Sequence, residues 1–380
     1  MDLSSFTIIV SAVFSLVYAI FVFKLCHAWK NIKEFGSTKV TSWPFISVIV
    51  CMRNESAVIP HLLTSLAAQN YPAMEFEIIV SDDFSEDDSV RNAENFAAEN
   101  PHLNIKILKP SAPQKPGKKF ALAAAVHHAR GEIIAMTDAD CTLNKFWLKT
   151  MVSHHFTSRA ELTAGPVRLT GNSLFQKMQQ IEFMSLAGTT GSFIQLRKPM
   201  MVNAANMMFN KQSFIDSGRM NPQESAASGD DTFFMLALAE RNPDAVSFCK
   251  HETAMVETQA IQSPASFIQQ RIRWASKTRH YPSFYIRLTG IALFAFHFLI
   301  LLFFFLSFAN SDYLIPAFMM LLSKWLADGM VLSLYNRFFK VNAGLMAWIV
   351  TFLIHPLYLV LIPLLTLKKN YKWKERPGKT

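Results

Sequence analysis

Long uncharged runs bracket this chain, and they limit its fold more than any other feature. Phe6 to Phe23 is 18 residues without a charge, and Leu288 to Ala309 is an apolar stretch of 22 residues near the other end. Runs of this length cross the hydrocarbon of a bilayer. Ala343 to Leu367 is a further candidate, broken by Pro356 and Pro363, and Tyr313 to Tyr335 is long enough but carries Lys324 and Asp328 at an i, i+4 spacing. An ion pair there is costly unless it faces protein or the interface. Residues 40 to 280 hold most of the acidic residues and nearly all the turn signals. The chain therefore reads as an N-terminal membrane helix (1–30), a soluble domain ending in an interfacial helix (40–280), two to three membrane segments (284–368) and a basic tail (369–380).

Charge gives these segments a direction. Lys24, Lys30, Lys33 and Lys39 follow the first run and only Asp2 precedes it, the reverse of a cleaved secretory signal, so a retained helix with its N-terminus outside is expected. Arg271, Arg273, Lys277, Arg279 and Arg287 precede the second run, and the tail from Lys368 to Thr380 holds six basic residues against Glu375 alone. The positive-inside rule then places the domain on the cytoplasmic face of the inner membrane, with membrane lipids as neighbours. Three C-terminal crossings would put the tail outside, whereas one re-entrant or interfacial segment keeps it in, and a cytoplasmic tail is expected.

The net charge, 37 − 28 = +9, gathers beside these runs and points to a membrane surface rather than to nucleic acid. Hydrophobic residues at 51% and charged residues at 17% exclude disorder. Cys26, Cys51, Cys141 and Cys249 form no CxxC or Cys/His pattern, which argues against a zinc site or a disulfide framework.

From Phe45 short β-branched runs alternate with helical stretches: Ile46–Cys51, Val58–Gln69, Phe76–Ser81, Asp87–Glu99, Ile105–Leu108, Lys118–Arg130 and Glu132–Thr137. This alternation predicts βαβ units, an α/β fold with a mainly parallel sheet, and a ligand site at the carboxyl ends of the strands. Three of those ends are polar in a coordinated way: Arg53-Asn54-Glu55, Asp82-Asp83 and Asp138-Ala139-Asp140. No GxGxxG or GxxxxGK[ST] loop follows any strand, which disfavours dinucleotide folds and P-loop NTPases. Carboxylates facing a phosphorylated ligand need a hard cation between them, so Mg²⁺ or Mn²⁺ is expected at Asp138 and Asp140.

These segments, with Ser228-Gly229-Asp230-Asp231-Thr232 and Gln270-Arg271-Ile272-Arg273-Trp274 downstream, resemble family 2 glycosyltransferases of the GT-A fold, of the membrane-anchored bacterial type with a QxxRW motif. The resemblance spans residues 45 to 274. It implies donor contacts from Glu55, Asp82, Asp83, Lys118, Asp138, Gln270, Arg271 and Arg273 to a nucleotide-diphosphate sugar. It implies a metal held by Asp140 with Asp138, a catalytic base at Asp231 with Asp230 beside it, and acceptor contacts from Trp274 and Asn206. The family often has a glycine near the acceptor segment, and a basic pair where this chain has Asn210-Lys211.

Plainer uses stand beside these roles. Asp82, Asp83, Asp87 and Asp88 are well placed to cap a turn and helix, as are Asp230 and Asp231, and Arg273 and Trp274 suit an interfacial anchor. The activity implied is inverting sugar transfer to a lipid, polyprenyl-phosphate or glycan acceptor of the cell envelope. A processive polysaccharide synthase shares QxxRW, and an inactive nucleotide-sugar-binding scaffold is the alternative outside catalysis. The sequence leaves the sugar, the base, the acceptor and the oligomeric state open.

Overall fold

The structure, a computed structural model, describes residues 2–34, 42–111, 115–218, 230–276, 281, 283–367, 371–373 and 376–378. Lys39, Ser228, Gly229, Lys277, Arg279 and most of the basic tail lie outside the described residues. The chain forms two compact units, Ile32–Thr170 with Thr190–Gln259, and Met1–Asn31 with Gly171–Thr189 and Ala260–Thr380.

The first unit is the expected α/β domain. Strands β1 (Ile46–Met52), β2 (Phe76–Asp82), β3 (Ile105–Leu108) and β4 (Ile133–Asp138) alternate with helices α2 (Ile59–Ala67), α3 (Ser89–Glu99) and α4 (Lys118–His128). Every residue of β1 and β2 is buried, which is why both read as near-continuous Ile/Val runs rather than as alternating patterns. The seven-stranded sheet is completed by β6 (Leu162–Ala164), β8 (Met207–Asn210) and β9 (Val246–Phe248), with helices α5 (Trp147–Ser158) and α7 (Lys211–Asp216) in the intervening chain, in the order β3-β2-β1-β4-β8-β6-β9. Only β8 runs against the others, pairing antiparallel with both β4 and β6. A smaller sheet joins β5 (Cys141–Leu143), β10 (Val256–Gln259) and β7 (Val167–Thr170). The register sets Cys51 of β1 beside Ser81 on one side and Asp138 on the other, so the polar strand ends fall together along one edge.

The second unit is helical. It contains α1 (Leu3–Asn31), α9 (Pro264–Ser276), α10 (Phe284–Leu306), α11 (Leu314–Phe339), α12 (Leu345–Thr366) and the part of α6 (Leu174–Gln195) up to Thr189. Among the described residues four helices are long and apolar enough to cross a membrane, over Ser4–Asn31, Phe284–Leu306, Ser311–Phe339 and Leu345–Thr366. Helices α1 and α11 run parallel: Ser323 donates to the Ser15 carbonyl at 3.3 Å, Tyr18 donates to Asp328 at 2.5 Å, and Trp29 meets Tyr335 with ring centroids 5.0 Å apart. The Lys324–Asp328 pair faces protein, with only 1% and 8% of each residue exposed. Segment 313–335 lies almost wholly within one continuous helix along α1, and its pair is satisfied inside the bundle. Gly188 of α6 lies so close to Tyr335 that an added Cβ would come within 2.4 Å of the ring.

Candidate active site

The site forms where β1, β2 and β4 end. After β2, Asp82 accepts the Ser85 N–H in a tight turn, at 3.2 and 3.1 Å to its two oxygens. Arg53, just past β1, fixes the same loop by donating to the carbonyls of Asp83 and Phe84 at 3.0 and 2.5 Å and pairing with Glu86 at 3.1 Å. Asn54 and Phe84 both take positive φ, 50° and 57°, a conformation that a non-glycine residue holds only when its surroundings enforce it. Glu55 is half-buried, and its N–H donates to Ser89 Oγ at 2.7 Å. Asp87 ties this loop to α3 through the N–H groups of Ser56 and Ser89. Against a burial cost, hydrogen bonds from Ser89 and Ser56 hold its pKa down to about 2. Asp87 is therefore structural, while Asp88, at the N-cap of α3, makes no side-chain cap hydrogen bond.

Asp83, only 2% exposed, accepts the Gly117 N–H at 2.6 Å. Gly117 has φ +142°, open to glycine and hardly to any other residue, and it delivers Lys118 as the first residue of α4. The Lys118 ammonium pairs with the Asp138 carboxylate. Burial works to lower its pKa, but Asp138, and more weakly Asp231, hold it above the ordinary lysine value.

Asp138 ends β4 and Asp140 stands two residues on, just before β5. Thr258 of β10 donates to Asp140 Oδ2 at 3.1 Å and fixes the carboxyl from the smaller sheet. Desolvation and then the charge of Asp138 raise the Asp140 pKa, although the residue is exposed to solvent. The two facts agree if the carboxyl stands in a recess, open to water yet ringed by protein. Asp231, near the start of α8 (Asp230–Arg241), accepts the N–H groups of Ala204 at 3.2 Å and Thr232 at 2.8 Å. Lys118, Asp138, Asp140 and Asp231 thus share one electrostatic neighbourhood.

Among the described residues no group of three or more His, Cys, Asp or Glu side chains forms a metal cage. The Asp138–Asp140 pair nevertheless fits a divalent cation. The Asp138 charge bears on Asp140, a strain that a cation between the two carboxylates relieves, and Mg²⁺ or Mn²⁺ takes the rest of its coordination from phosphate oxygens and water.

Several expected residues are placed otherwise. Asn206, read as an acceptor contact, is completely buried. Its amide nitrogen donates to the Pro166 and Ala254 carbonyls at 2.8 and 2.7 Å, and its oxygen accepts from Trp147 Nε1 at 2.9 Å, so it holds the core together. What that segment does give the site is the Ala204 N–H on Asp231.

Arg271, Gln270, Arg273 and Trp274 belong to the helical unit. Arg271, read as a diphosphate ligand, is 3% exposed and spends Nε and Nη2 on Glu182 at 3.0 and 2.5 Å, with Nη1 on Gln270. Burial opposes its charge, but Glu182 holds its pKa above the usual value. Its guanidinium also covers one face of Trp274, 4.2 Å from the ring centroid. No local pattern signals Thr258 or Glu182, which lie 118 and 89 residues from their partners.

Comparison with known proteins points to the glycosyltransferases. Residues 47–218 match the family described as Glycosyl transferase family 2. A β-monoglucosyldiacylglycerol synthase of Trichormus variabilis is 27% identical over 244 residues, covering 62% of this chain and 49% of that protein. Glycosyltransferase AglE of Haloferax volcanii is 30% identical over 127 residues, covering 33% of this chain and 40% of its own length. The chain thus spans about half or less of these curated relatives. A mannosyltransferase of Pyrobaculum calidifontis, solved with GDP-Man and Mn²⁺, superposes with a TM-score of 0.59 at 16% identity, covering 96% of this chain and 99% of the other. Residues 47–218 are therefore similar to family 2 glycosyltransferases, and the α/β unit has a GT-A-like fold.

Proposed function

We propose that the chain is a membrane-anchored, inverting glycosyltransferase that moves a sugar from a nucleotide-diphosphate donor to a lipid or glycan acceptor at the cytoplasmic membrane face. The observation that carries this reading is the convergence of Lys118, Asp138, Asp140 and Asp231 at the strand ends. A cation held by Asp138 and Asp140 would offset the charge that builds on the departing diphosphate. Lys118, at the start of α4, adds a positive charge where the helix N-terminus already favours an anion. Asp231, oriented by two backbone N–H groups, takes the acceptor hydroxyl proton onto a carboxylate oxygen while that hydroxyl attacks the anomeric carbon from the face opposite the diphosphate. One displacement without a covalent intermediate inverts the anomeric centre.

Four helices able to span a bilayer, and a relative named for a diacylglycerol product, support an acceptor in the membrane. Basic residues after α1 and before α10 support the cytoplasmic placement of what lies between. Cation-dependent release of nucleotide diphosphate from a panel of nucleotide sugars, in membranes carrying the chain, tests the reading. Release from one donor that Asp140→Ala and Asp231→Asn both abolish supports it. Absence of release with native lipid extract supplied favours the scaffold, and a ladder of products favours the polysaccharide synthase.

A further inference from the structure

We propose that the groove between α1 and α11 binds the phosphate head of an anionic membrane lipid. This inference needs the two helices to lie in a bilayer and is independent of the sugar-transfer chemistry. The groove is a cavity of about 190 Å³ between the last turns of both helices. Drug-sized ligands occupy roughly 300–1,000 Å³, so this space suits a phosphate group and the first carbons of its chains rather than a sugar nucleotide.

Its apolar walls come from Phe23 and Cys26 of α1 and Met330 and Leu334 of α11, and its polar groups are Lys30, Arg337, the Ser333 hydroxyl and the His27 imidazole, which lies 2.8 Å from the Asn31 side-chain amide. Lys30 and Arg337 each stand in the last turn of their helix. Both cations are exposed, and no carboxylate among the described residues pairs with either. A helix C-terminus attracts one cation on its own account. That does not explain why α1 and α11, by running parallel, bring two cations to the mouth of one apolar slot. Two unpaired cations above an apolar cleft complement a molecule with a phosphate at one end and hydrocarbon at the other. Arg337 offers a planar fork for two phosphate oxygens, and Lys30 a point charge.

The test uses the full chain in phosphatidylcholine nanodiscs, with spin-labelled phosphatidylglycerol as the probe and spin-labelled phosphatidylcholine as the neutral reference. The expected result is selective retention of phosphatidylglycerol, weakened about fivefold by Lys30→Gln or Arg337→Gln and about 30-fold by both together. Leu334→Trp, which fills the slot and keeps the charges, should weaken retention as well. Thermal unfolding of each variant confirms that it is folded. Equal retention of the two lipids by the wild-type chain would overturn the proposal, as would a preference that survives both the charge and the slot variants. Displacement of phosphatidylglycerol by millimolar inorganic phosphate would assign the groove to a free anion instead.

Discussion

Arg271 and Glu182 meet in a two-pronged ion pair, at 3.0 and 2.5 Å, with 3% and 11% of their side chains exposed. Tyr358 of α12 donates to the same carboxylate at 3.0 Å, so three helices of the bundle, α6, α9 and α12, converge on one acid. Removing one partner of a buried pair strands the other charge and costs about 3–5 kcal/mol. Glu182→Gln should therefore lower the unfolding temperature of the purified chain markedly, and Tyr358→Phe only slightly, by about 1 kcal/mol. An unchanged melting curve for Glu182→Gln would refute a locking role.

Asp140 supplies a second prediction, with opposite signs for stability and for metal. Desolvation and the Asp138 charge raise its folded pKa above the unfolded value. The folded chain then holds more protons between those two pKa values, so stability falls as pH rises through that window and stays lower above it. At pH 7 metal-free Asp140→Asn should accordingly melt no lower than wild type, and somewhat higher. Mn²⁺ should stabilise wild type but not the variant, and the wild-type affinity should decline with acid at a pH above the ordinary Asp range because protons compete for Asp140. Calorimetric titration across pH reads both effects.

Gly117 links the base of the site to Lys118. At φ +142° any side chain is strained, by about 1–3 kcal/mol. Gly117→Ala should shift α4 relative to Asp83 and raise the donor KM more than it lowers kcat. Steady-state kinetics with the identified donor would show it, and a pure loss of kcat would argue against a donor-positioning role.

How much of this could be read from residues follows from how local each signal was. Strands β1, β2 and β4 were legible because burial on both faces writes itself as Ile/Val runs, and the acids at their ends stood out against that background. The i, i+4 spacing of Lys324 and Asp328 likewise announced a pair needing a protein environment. The antiparallel β8 and the β5-β10-β7 sheet escaped, since strands of three or four residues carry little periodicity and their partners are distant in sequence. Asn206 and Arg271 matched motif positions, but a motif records residue type and order, not where a side chain's hydrogen bonds end. Asn206 ends on Pro166, Ala254 and Trp147, and Arg271 on Glu182.

The assignment of Asp231 as base predicts a loss in the chemical step alone. Asp231→Asn should reduce kcat by about 10²–10⁴-fold while donor binding, measured by equilibrium titration, changes little. A variant that loses donor affinity in proportion would move Asp231 from the acceptor to the donor side.

The most direct test of the central claim is transfer itself: incorporation of radiolabelled sugar from the nucleotide-sugar donor into an extractable product, by membranes containing wild-type chain or Asp231→Asn with Mn²⁺ present. Labelled product formed by wild type and abolished by Asp231→Asn is the predicted result. Equal labelling by the two would contradict the account.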